Sequence, residues 1–201
     1  MVLRSFGTTI FAEMSALATT TGSINLGQGF PDTDGPAAML ERAVEGLRNG
    51  ENQYPPGPGM PLLREAIAAH RLDHYGLSYD PGREILVTVG ATEAIAAAIL
   101  GLCETGDEVV VFEPYYDSYA ATIELSGARR VAVTLRPDAT GRFGFDPDEL
   151  RAAIGPRTKV LLLNSPHNPT GSVFTRDELS LIASLATDHD LTVVSDEVYE
   201  H

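Results

Sequence analysis

The sequence lacks several features that would point to particular classes of protein. It contains one cysteine in 201 residues, so no intrachain disulfide can form, and a cytoplasmic setting is expected. Cys103 lies in an apolar helical segment, which predicts a small buried side chain and not a nucleophile. No apolar run approaches the length of a membrane span, and Glu13 interrupts the only apolar stretch near the N-terminus, so we expect no signal peptide there.

Basic residues are also scarce. Lysine and arginine total 14 against 28 aspartates and glutamates, and the formal net charge is −14. Because such a chain repels nucleic-acid phosphates and anionic lipids, we expect neither nucleic acid nor membrane as a partner. An anionic ligand would have to be held by local features such as helix N-termini. Lysine occurs once, at Lys159, which leaves a single candidate for any lysine chemistry.

The hydrophobic pattern changes after Gly82. Before it, segments with helical spacing alternate with loops rich in glycine and proline; the predicted helices begin near Ile10, at Pro36 and at Leu62, and the loops cover 24–35 and 52–61. After it, strands and helices alternate; the predicted strands are 85–89, 108–112, 130–135, 159–164 and 191–195, and the predicted helices are 92–103, 116–126, 147–154 and 175–187.

Three of these strands, VVVF, VLLL and TVVS, are apolar throughout, which predicts that both of their faces are covered. The fold class is therefore α/β, with three layers and a mostly parallel sheet. A compositional boundary near residue 35 separates a predicted N-terminal arm, residues 1–35, from a predicted domain over 36–201.

Ligands of open parallel sheets gather outside the carboxyl ends of the strands. There, Gly90 and Thr92 open a helix directly after a predicted strand, which is suited to a phosphate but is common in proteins that bind nothing at this position. Glu113 lies about where a dinucleotide-binding fold places its ribose-binding acid, yet the turn has one glycine and not G-x-G-x-x-G. A nicotinamide-dependent oxidoreductase is therefore the minor alternative.

Asn168 and Asp196 follow consecutive strands joined by one helix, so a right-handed crossover should bring them together. A carboxylate at a buried strand end is costly unless it is paired, and no adjacent arginine or lysine is available in the sequence. A cationic ligand atom is one natural partner, and a helix cap or a turn is the common alternative. If Tyr199 serves the same ligand, the chain must bend after Asp196, because strand alternation would place the two on opposite faces.

Several motifs together resemble the class I/II pyridoxal-phosphate aminotransferases of fold type I. They are N-L-G-Q-G-F-P-D from Asn25, N-Q-Y-P-P-G-P-G from Asn52, V-T-V-G-A-T-E-A from Val87, E-P-Y-Y-D from Glu113, N-P-T-G from Asn168 and D-E-V-Y from Asp196. Within the family the chain is most similar to the kynurenine and glutamine aminotransferase branch and to N-succinyldiaminopimelate aminotransferases. The likeness covers nearly the whole chain. It implies that residues 1–35 form an N-terminal arm and part of a small domain, and that residues 36–201 form an incomplete large domain of that fold.

The resemblance implies roles for individual residues toward pyridoxal 5'-phosphate. Asp196 would bind the pyridine nitrogen, Tyr199 and Asn168 the phenolic oxygen, and Tyr116 would stack on the ring. Ala91 and Thr92 would hold the phosphate, joined by Tyr54 from the neighbouring subunit of a homodimer, while Gly29 and Asn168 would lie against the substrate.

The resemblance also implies a lysine that forms a Schiff base a few dozen residues after D-E-V-Y, and an arginine later still. Lys159 cannot serve, because it begins the strand whose far end leads to Asn168. We therefore expect the N-terminal half of a longer enzyme, and we expect this half to be inactive alone.

The implied reaction is transamination between an amino acid, with glutamate as donor, and a 2-oxo acid, with N-succinyl-diaminopimelate as a substrate. Kynurenine, methionine or glutamine aminotransferase and C–S β-lyase activity are alternatives within the family. A non-catalytic fragment or dimerisation remnant is the alternative of another class.

Overall fold

The computed structural model describes residues 7–27, 29 and 33–201. It divides into two compact units, residues 8–88 and residues 89–201, the second including Gly7. Residues 1–6 of the predicted arm, and residues 28 and 30–32 of the predicted loop at 24–35, lie outside the described residues. The predicted domain boundary at residue 35 stays a prediction.

The unit of residues 8–88 contains the three helices that the sequence predicts. They are α1 (Ile10–Thr21), α2 (Ala37–Arg48) and α3 (Pro61–Tyr75). The Thr9 side chain accepts from the Ala12 N–H at the start of α1, while Gly76 ends α3 in the left-handed conformation that glycine favours. The segment between α2 and α3 is loop, because its closely spaced prolines remove backbone donors.

One predicted strand of this region is wrong. Residues 85–88 have no strand ladder, and the Val87 N–H donates to the carbonyl of Pro58, a loop residue, at 3.0 Å. The alternation of apolar residues at 85–89 satisfies the sequence pattern of a strand, but a strand forms only where a neighbouring strand completes its hydrogen bonds. Val89 is instead the N-cap of the following helix.

The unit of residues 89–201 is built around a four-stranded sheet. Its elements are α4 (Gly90–Leu102), β1 (Glu108–Glu113), α5 (Ser118–Ser126), β2 (Arg129–Thr134), β3 (Arg136–Pro137), β4 (Phe143–Gly144), α6 (Pro147–Ala153), β5 (Thr158–Asn164), α7 (Arg176–Asp188) and β6 (Thr192–Asp196). The strand order is β2-β1-β5-β6 and every neighbouring pair is parallel, as predicted. The sequence patterns missed the two-residue antiparallel pair β3–β4, which is too short for a recognisable period.

Alternate residues of β1 and β5 enter two separate cores, which confirms the three-layer architecture. On one face, Val109, Val111, Val160 and Leu162 pack against apolar side chains of α4 and α5. On the other face, Val110, Phe112, Leu161 and Leu163 pack against α6 and α7. Cys103 is buried in the first of these cores, as expected from its apolar surroundings.

The last strand departs from the prediction that both of its faces are covered. β6 lies at the edge of the sheet, and its Thr192, Val193 and Ser195 are exposed. An apolar run therefore predicted the strand but not its burial, because burial depends on which elements pack beside it.

Helix α7 makes the crossover between β5 and β6. Its start is fixed by the predicted capping box, in which the Thr175 hydroxyl accepts from the Glu178 N–H and the Glu178 carboxylate accepts from the Thr175 N–H. The crossover places β6 parallel to β5 with Asn164 beside Asp196 in register. Both strands therefore deliver polar groups to the same edge of the sheet.

Candidate functional site

A cavity of about 250 Å³ lies at the carboxyl end of the sheet. Its walls come from the start of α4, the start of α5, the loop after β5 and the turn after β6. It is lined by Ala91, Thr92, Ile95, Tyr116, Tyr119, Asn164, Asn168, Asp196, Val198 and Tyr199. The structure thus brings together six of the residues that the sequence proposed for one ligand: Ala91, Thr92, Tyr116, Asn168, Asp196 and Tyr199.

Asp196 supplies a buried carboxylate that is 9% exposed. The Tyr119 hydroxyl donates to its Oδ2 at 2.6 Å, and the Val198 N–H donates to its Oδ1 at 3.1 Å. Within the described residues, the carboxylate has no arginine, lysine or histidine at ion-pair distance. Since a carboxylate has about four acceptor positions and two are used, Asp196 can accept a further, charged donor from the cavity.

The N-terminus of α4 forms another wall. Gly90 begins the helix with φ +76°, a conformation that side chains disfavour. The N-cap, Val89, offers no side-chain acceptor to the first turn of the helix, and the Glu93 carboxylate accepts the N–H of Val89. The N–H groups of the first turn and the positive end of the helix dipole favour an anion beside Ala91 and Thr92.

The turn after β6 brings Tyr199 into the site. Val198 and Tyr199 form a turn, and the Glu200 N–H donates to the Glu197 carbonyl at 3.0 Å. This confirms the predicted bend after Asp196. The Asn168 amide donates to the Tyr199 hydroxyl at 3.4 Å, so the two side chains stand together at the mouth of the cavity.

Tyr116 forms an aromatic wall. Its ring is half-buried and makes an edge-to-face contact with Tyr119, with 5.8 Å between ring centroids and 77° between planes. A planar ligand in the cavity can therefore stack on a side chain that is itself held by a second aromatic ring.

The sequence analysis missed Asn164, which joins three parts of the site. Its Nδ2 donates to the Asp196 backbone carbonyl at 3.0 Å, and its Oδ1 accepts from the Asn168 N–H at 2.7 Å. It is 3% exposed. The available signal was a polar residue ending the apolar strand V-L-L-L-N at the edge where ligands bind.

Tyr119 was also missed as a partner of Asp196. The two lie 77 positions apart in the sequence. The available signal was weaker, a tyrosine three residues after Tyr116, which is the spacing of neighbours on one helix face.

His167, to which the sequence assigned no role, is 3% exposed beneath the N-P-T-G turn. Its Nδ1 lies 2.9 Å from the Thr170 hydroxyl, and its carbonyl accepts from the Gly171 N–H at 2.7 Å. Burial lowers the pKa of His167, and a hydrogen bond to the Phe112 backbone partly opposes that shift. The ring is therefore a neutral group that anchors the turn carrying Asn168.

Three residues considered from the sequence lie elsewhere. Tyr54 and Gly29 belong to the unit of residues 8–88, where both are exposed. Lys159 is exposed at the amino end of β5, about 16 Å along the strand from Asn164 at 3.3 Å per residue. This confirms that Lys159 does not reach the cavity.

None of the helices in the described parts of the chain is long and apolar enough to cross a membrane. Those residues also contain no group of three or more histidine, cysteine, aspartate or glutamate side chains arranged to hold a metal ion. The cavity at the end of the sheet is therefore the site on which we base a function.

Comparison with known proteins identifies the family to which the chain belongs. The family model described as aminotransferase class I and II matches residues 21–201. A probable N-succinyldiaminopimelate aminotransferase, DapC, of Mycobacterium tuberculosis is 59% identical over 199 residues, covering 99% of this chain and 50% of the relative. The methionine aminotransferase of Escherichia coli is 45% identical over 199 residues, covering 99% of this chain and 51% of the relative.

Among solved structures, N-succinyldiaminopimelate aminotransferase from Mycobacterium tuberculosis superposes with a TM-score of 0.96 at 58% identity, covering all of this chain and 52% of that one. The chain thus spans about half the length of the curated relatives it matches. The family model covers most of the chain and the fold agrees throughout, and the chain therefore belongs to the class I and II aminotransferases.

Proposed function

We propose that this chain supplies the cofactor-binding part of a pyridoxal-phosphate-dependent aminotransferase. Enzymes of this class depend on pyridoxal phosphate. The observation that carries the proposal is the buried Asp196 carboxylate, which faces the cavity without a cationic partner among the described residues. Because burying an unpaired charge is costly, a protonated ring nitrogen is the partner that suits this position.

The other residues around the cavity fit the remaining groups of the cofactor. The N-terminus of α4 at Ala91 and Thr92 suits a phosphate, and the Tyr116 ring suits an aromatic face. Asn168 and Tyr199 offer an amide and a hydroxyl at hydrogen-bond distance from one another, which suits the phenolic oxygen. The donor set therefore fits pyridoxal phosphate at each of its polar groups.

When bound, pyridoxal phosphate supplies an electron sink for negative charge at the substrate's α carbon. In this proposal Asp196 keeps a proton on the ring nitrogen and so preserves that capacity. Asn164 hydrogen-bonds to the Asp196 backbone carbonyl and to the Asn168 N–H. It therefore fixes the distance between Asp196, which would contact the ring nitrogen, and Asn168, which would contact the phenolic oxygen. Tyr116 orients the ring plane and excludes water from one face.

The proposed reaction transfers an amino group between an amino acid, with glutamate as donor, and a 2-oxo acid. Similarity to the probable DapC favours N-succinyl-diaminopimelate as the substrate, and similarity to the methionine aminotransferase supports methionine as the alternative. Kynurenine or glutamine transamination and C–S β-lyase activity stay predictions. A panel of amino acids and 2-oxo acids, assayed pairwise, separates these substrates.

We further propose a cytoplasmic homodimer. In it, Tyr54 of one subunit would reach the phosphate of the other, and Gly29 would lie against the substrate carboxylate. The Tyr54 side chain is fully exposed, and no atom of the described residues comes within 4 Å of a Cβ built on Gly29. Both residues are therefore free to meet another chain or a ligand.

Thermal unfolding with added ligand tests the cofactor directly. At 100 times its dissociation constant, a ligand of the folded state stabilises a protein by about 2.7 kcal/mol, so pyridoxal phosphate should raise the unfolding temperature by several degrees. NAD and NADP at the same concentration serve as controls. Protection by NAD or NADP alone would support the oxidoreductase, and protection by none of the three would support a non-catalytic fragment.

A further inference from the structure

We propose that Tyr119 is a positioning residue that orients the Asp196 carboxylate toward the ring nitrogen of the cofactor. The inference rests on the proposed function, because it concerns how the chain prepares the same site. It adds a residue to which neither the sequence motifs nor the comparisons assign a role.

The contact between the two side chains is short and enclosed. The Tyr119 hydroxyl donates to Asp196 Oδ2 at 2.6 Å, and Tyr119 is 2% exposed. Hydrogen bonds to an ionised acceptor are shorter and stronger than neutral ones. A buried donor at this distance therefore restricts the carboxylate far more than an exposed one would.

Two donors from different elements fix the carboxylate plane. Tyr119 belongs to α5 and binds Oδ2, whereas Val198 belongs to the turn after β6 and binds Oδ1 through its N–H. With one donor on each oxygen, rotation of the carboxylate about its terminal torsion breaks at least one bond. Its remaining acceptor positions therefore keep a constant direction relative to the cavity.

The same tyrosine supports the aromatic wall. Its ring packs edge-to-face on Tyr116, and its backbone N–H donates to the Tyr116 carbonyl at 3.1 Å. One side chain thus sets both the carboxylate and the ring surface that the proposed function assigns to the cofactor. A substitution of Tyr119 would therefore change two proposed contacts with the cofactor ring together, the one from Asp196 and the one from Tyr116.

The Tyr119 hydroxyl is the donor in this contact. Burial raises the pKa of its hydroxyl, and the hydrogen bond to Asp196 raises it further. The proton therefore stays on the phenol, and Asp196 stays the acceptor. The contact adds no acid or base to the reaction, which is why its role is positioning.

The test uses Tyr119→Phe, which removes the hydroxyl and keeps the ring, with Tyr115→Phe as the matched control. The Tyr115 ring stacks on the Tyr119 ring, with 6.5 Å between their centroids, and the Arg130 guanidinium lies over its face. Tyr115 makes no contact with Asp196. The probes are pyridoxal 5'-phosphate and its 1-deaza analogue, in which carbon replaces the ring nitrogen. Dissociation constants for both are measured by titration on the full chain.

We expect Tyr119→Phe to weaken binding of pyridoxal 5'-phosphate about tenfold, the scale of a hydrogen bond to a charged group, and Tyr115→Phe by less than twofold. Binding of the 1-deaza analogue should change less than twofold in either variant, because it presents no cation to Asp196. A purely structural role would weaken both probes equally, and that result would overturn the inference.

The Asp196→Asn background provides a second measurement, made at a temperature at which thermal unfolding shows every variant to be folded. With the charged acceptor removed, adding Tyr119→Phe should leave the affinity for pyridoxal 5'-phosphate unchanged, and a tenfold effect in that background would overturn the inference. If the unaltered chain does not bind the probe, or if Asp196→Asn binds it normally, the proposed function fails and this inference with it. If Asp196→Asn weakens binding but Tyr119→Phe does not, the inference alone fails.

Discussion

Two buried carboxylates stand at opposite ends of the parallel sheet, and their surroundings differ. Glu108, at the amino end of β1, is 5% exposed and accepts from the guanidinium groups of Arg129 and Arg157, each with a nitrogen 2.7 Å from Oε1. Asp196, at the carboxyl end of β6, is 9% exposed and accepts only neutral donors, a phenol and a backbone N–H, within the described residues.

The difference separates a structural acid from one prepared for a ligand. The hydrogen bond from Arg129, followed by that from Arg157, lowers the pKa of Glu108, so its charge is compensated within the chain. Asp196 has its orientation fixed but its charge uncompensated by any described neighbour. Burial alone does not distinguish a functional carboxylate from a structural one, whereas the identity of its donors does.

The strongest way to break this comparison is to neutralise Asp196. In the longer enzyme that the sequence predicts, we expect Asp196→Asn to reduce transamination on the order of 10²-fold or more, the scale seen when a preorganised electrostatic contact is removed. The stability of the ligand-free protein should fall by only about 1 kcal/mol, since the amide oxygen can still accept from one of the two donors, Tyr119 or Val198. Turnover and thermal unfolding are measured together, with Glu197→Gln, the adjacent exposed carboxylate, as control. Near-normal turnover in Asp196→Asn would remove Asp196 from its proposed role.

Neutralising Glu108 should have the opposite profile. We expect Glu108→Gln to lower the free energy of unfolding by about 1–3 kcal/mol, because it weakens charged hydrogen bonds from two arginines. The affinity for pyridoxal phosphate should not change, since Glu108 lies at the far end of the sheet. Urea unfolding gives the stability, and exposed Glu104→Gln is the control. Equal stability of Glu108→Gln and Glu104→Gln would contradict a structural role for Glu108.

The acid sensitivity of that contact follows from the direction of the pKa shift. Because the folded pKa of Glu108 is depressed, the stability it adds is fully present above the ordinary glutamate value of about 4.3 and is lost as pH falls through the folded value. The gap in unfolding free energy between the unaltered chain and Glu108→Gln should therefore be constant near neutral pH and close below about pH 4. If the difference in unfolding free energy disappeared between pH 7 and 5, a group other than Glu108 would be responsible for the pH dependence.

The smallest expected effect concerns His167, which lies near the carboxyl end of the sheet. His167 has a lowered folded pKa because of burial, so its neutral form contributes stability above the ordinary value of about 6.5, and that stability is lost as pH falls below it. The stability contributed by His167 should thus begin to fall at a higher pH than the stability contributed by Glu108. His167→Gln should make the unfolding free energy less dependent on pH below about 6.5, and exposed His189→Asn is the control. An unchanged slope in His167→Gln would show that His167 does not set this dependence.

The order of elements and the ligand edge could be predicted from the sequence because both depend on local patterns. Apolar runs predicted β1, β5 and β6, and the Thr175 capping box predicted the start of α7. Right-handed crossovers then required Asn168 and Asp196 to meet at one edge. Local patterns, together with the resemblance to a known family, predicted six of the residues that line the cavity.

Packing between distant segments decided the rest. The segment at 85–89 has a strand pattern without a ladder, and β6 is apolar yet partly exposed, because neighbouring strands and layers are not encoded in a local period. Tyr119 is 77 positions from Asp196, and only the folded sheet places its hydroxyl at 2.6 Å from that carboxylate. Residue types and spacing determine which chemistry a chain can support, while three-dimensional proximity determines which charge is compensated and which is left for a ligand.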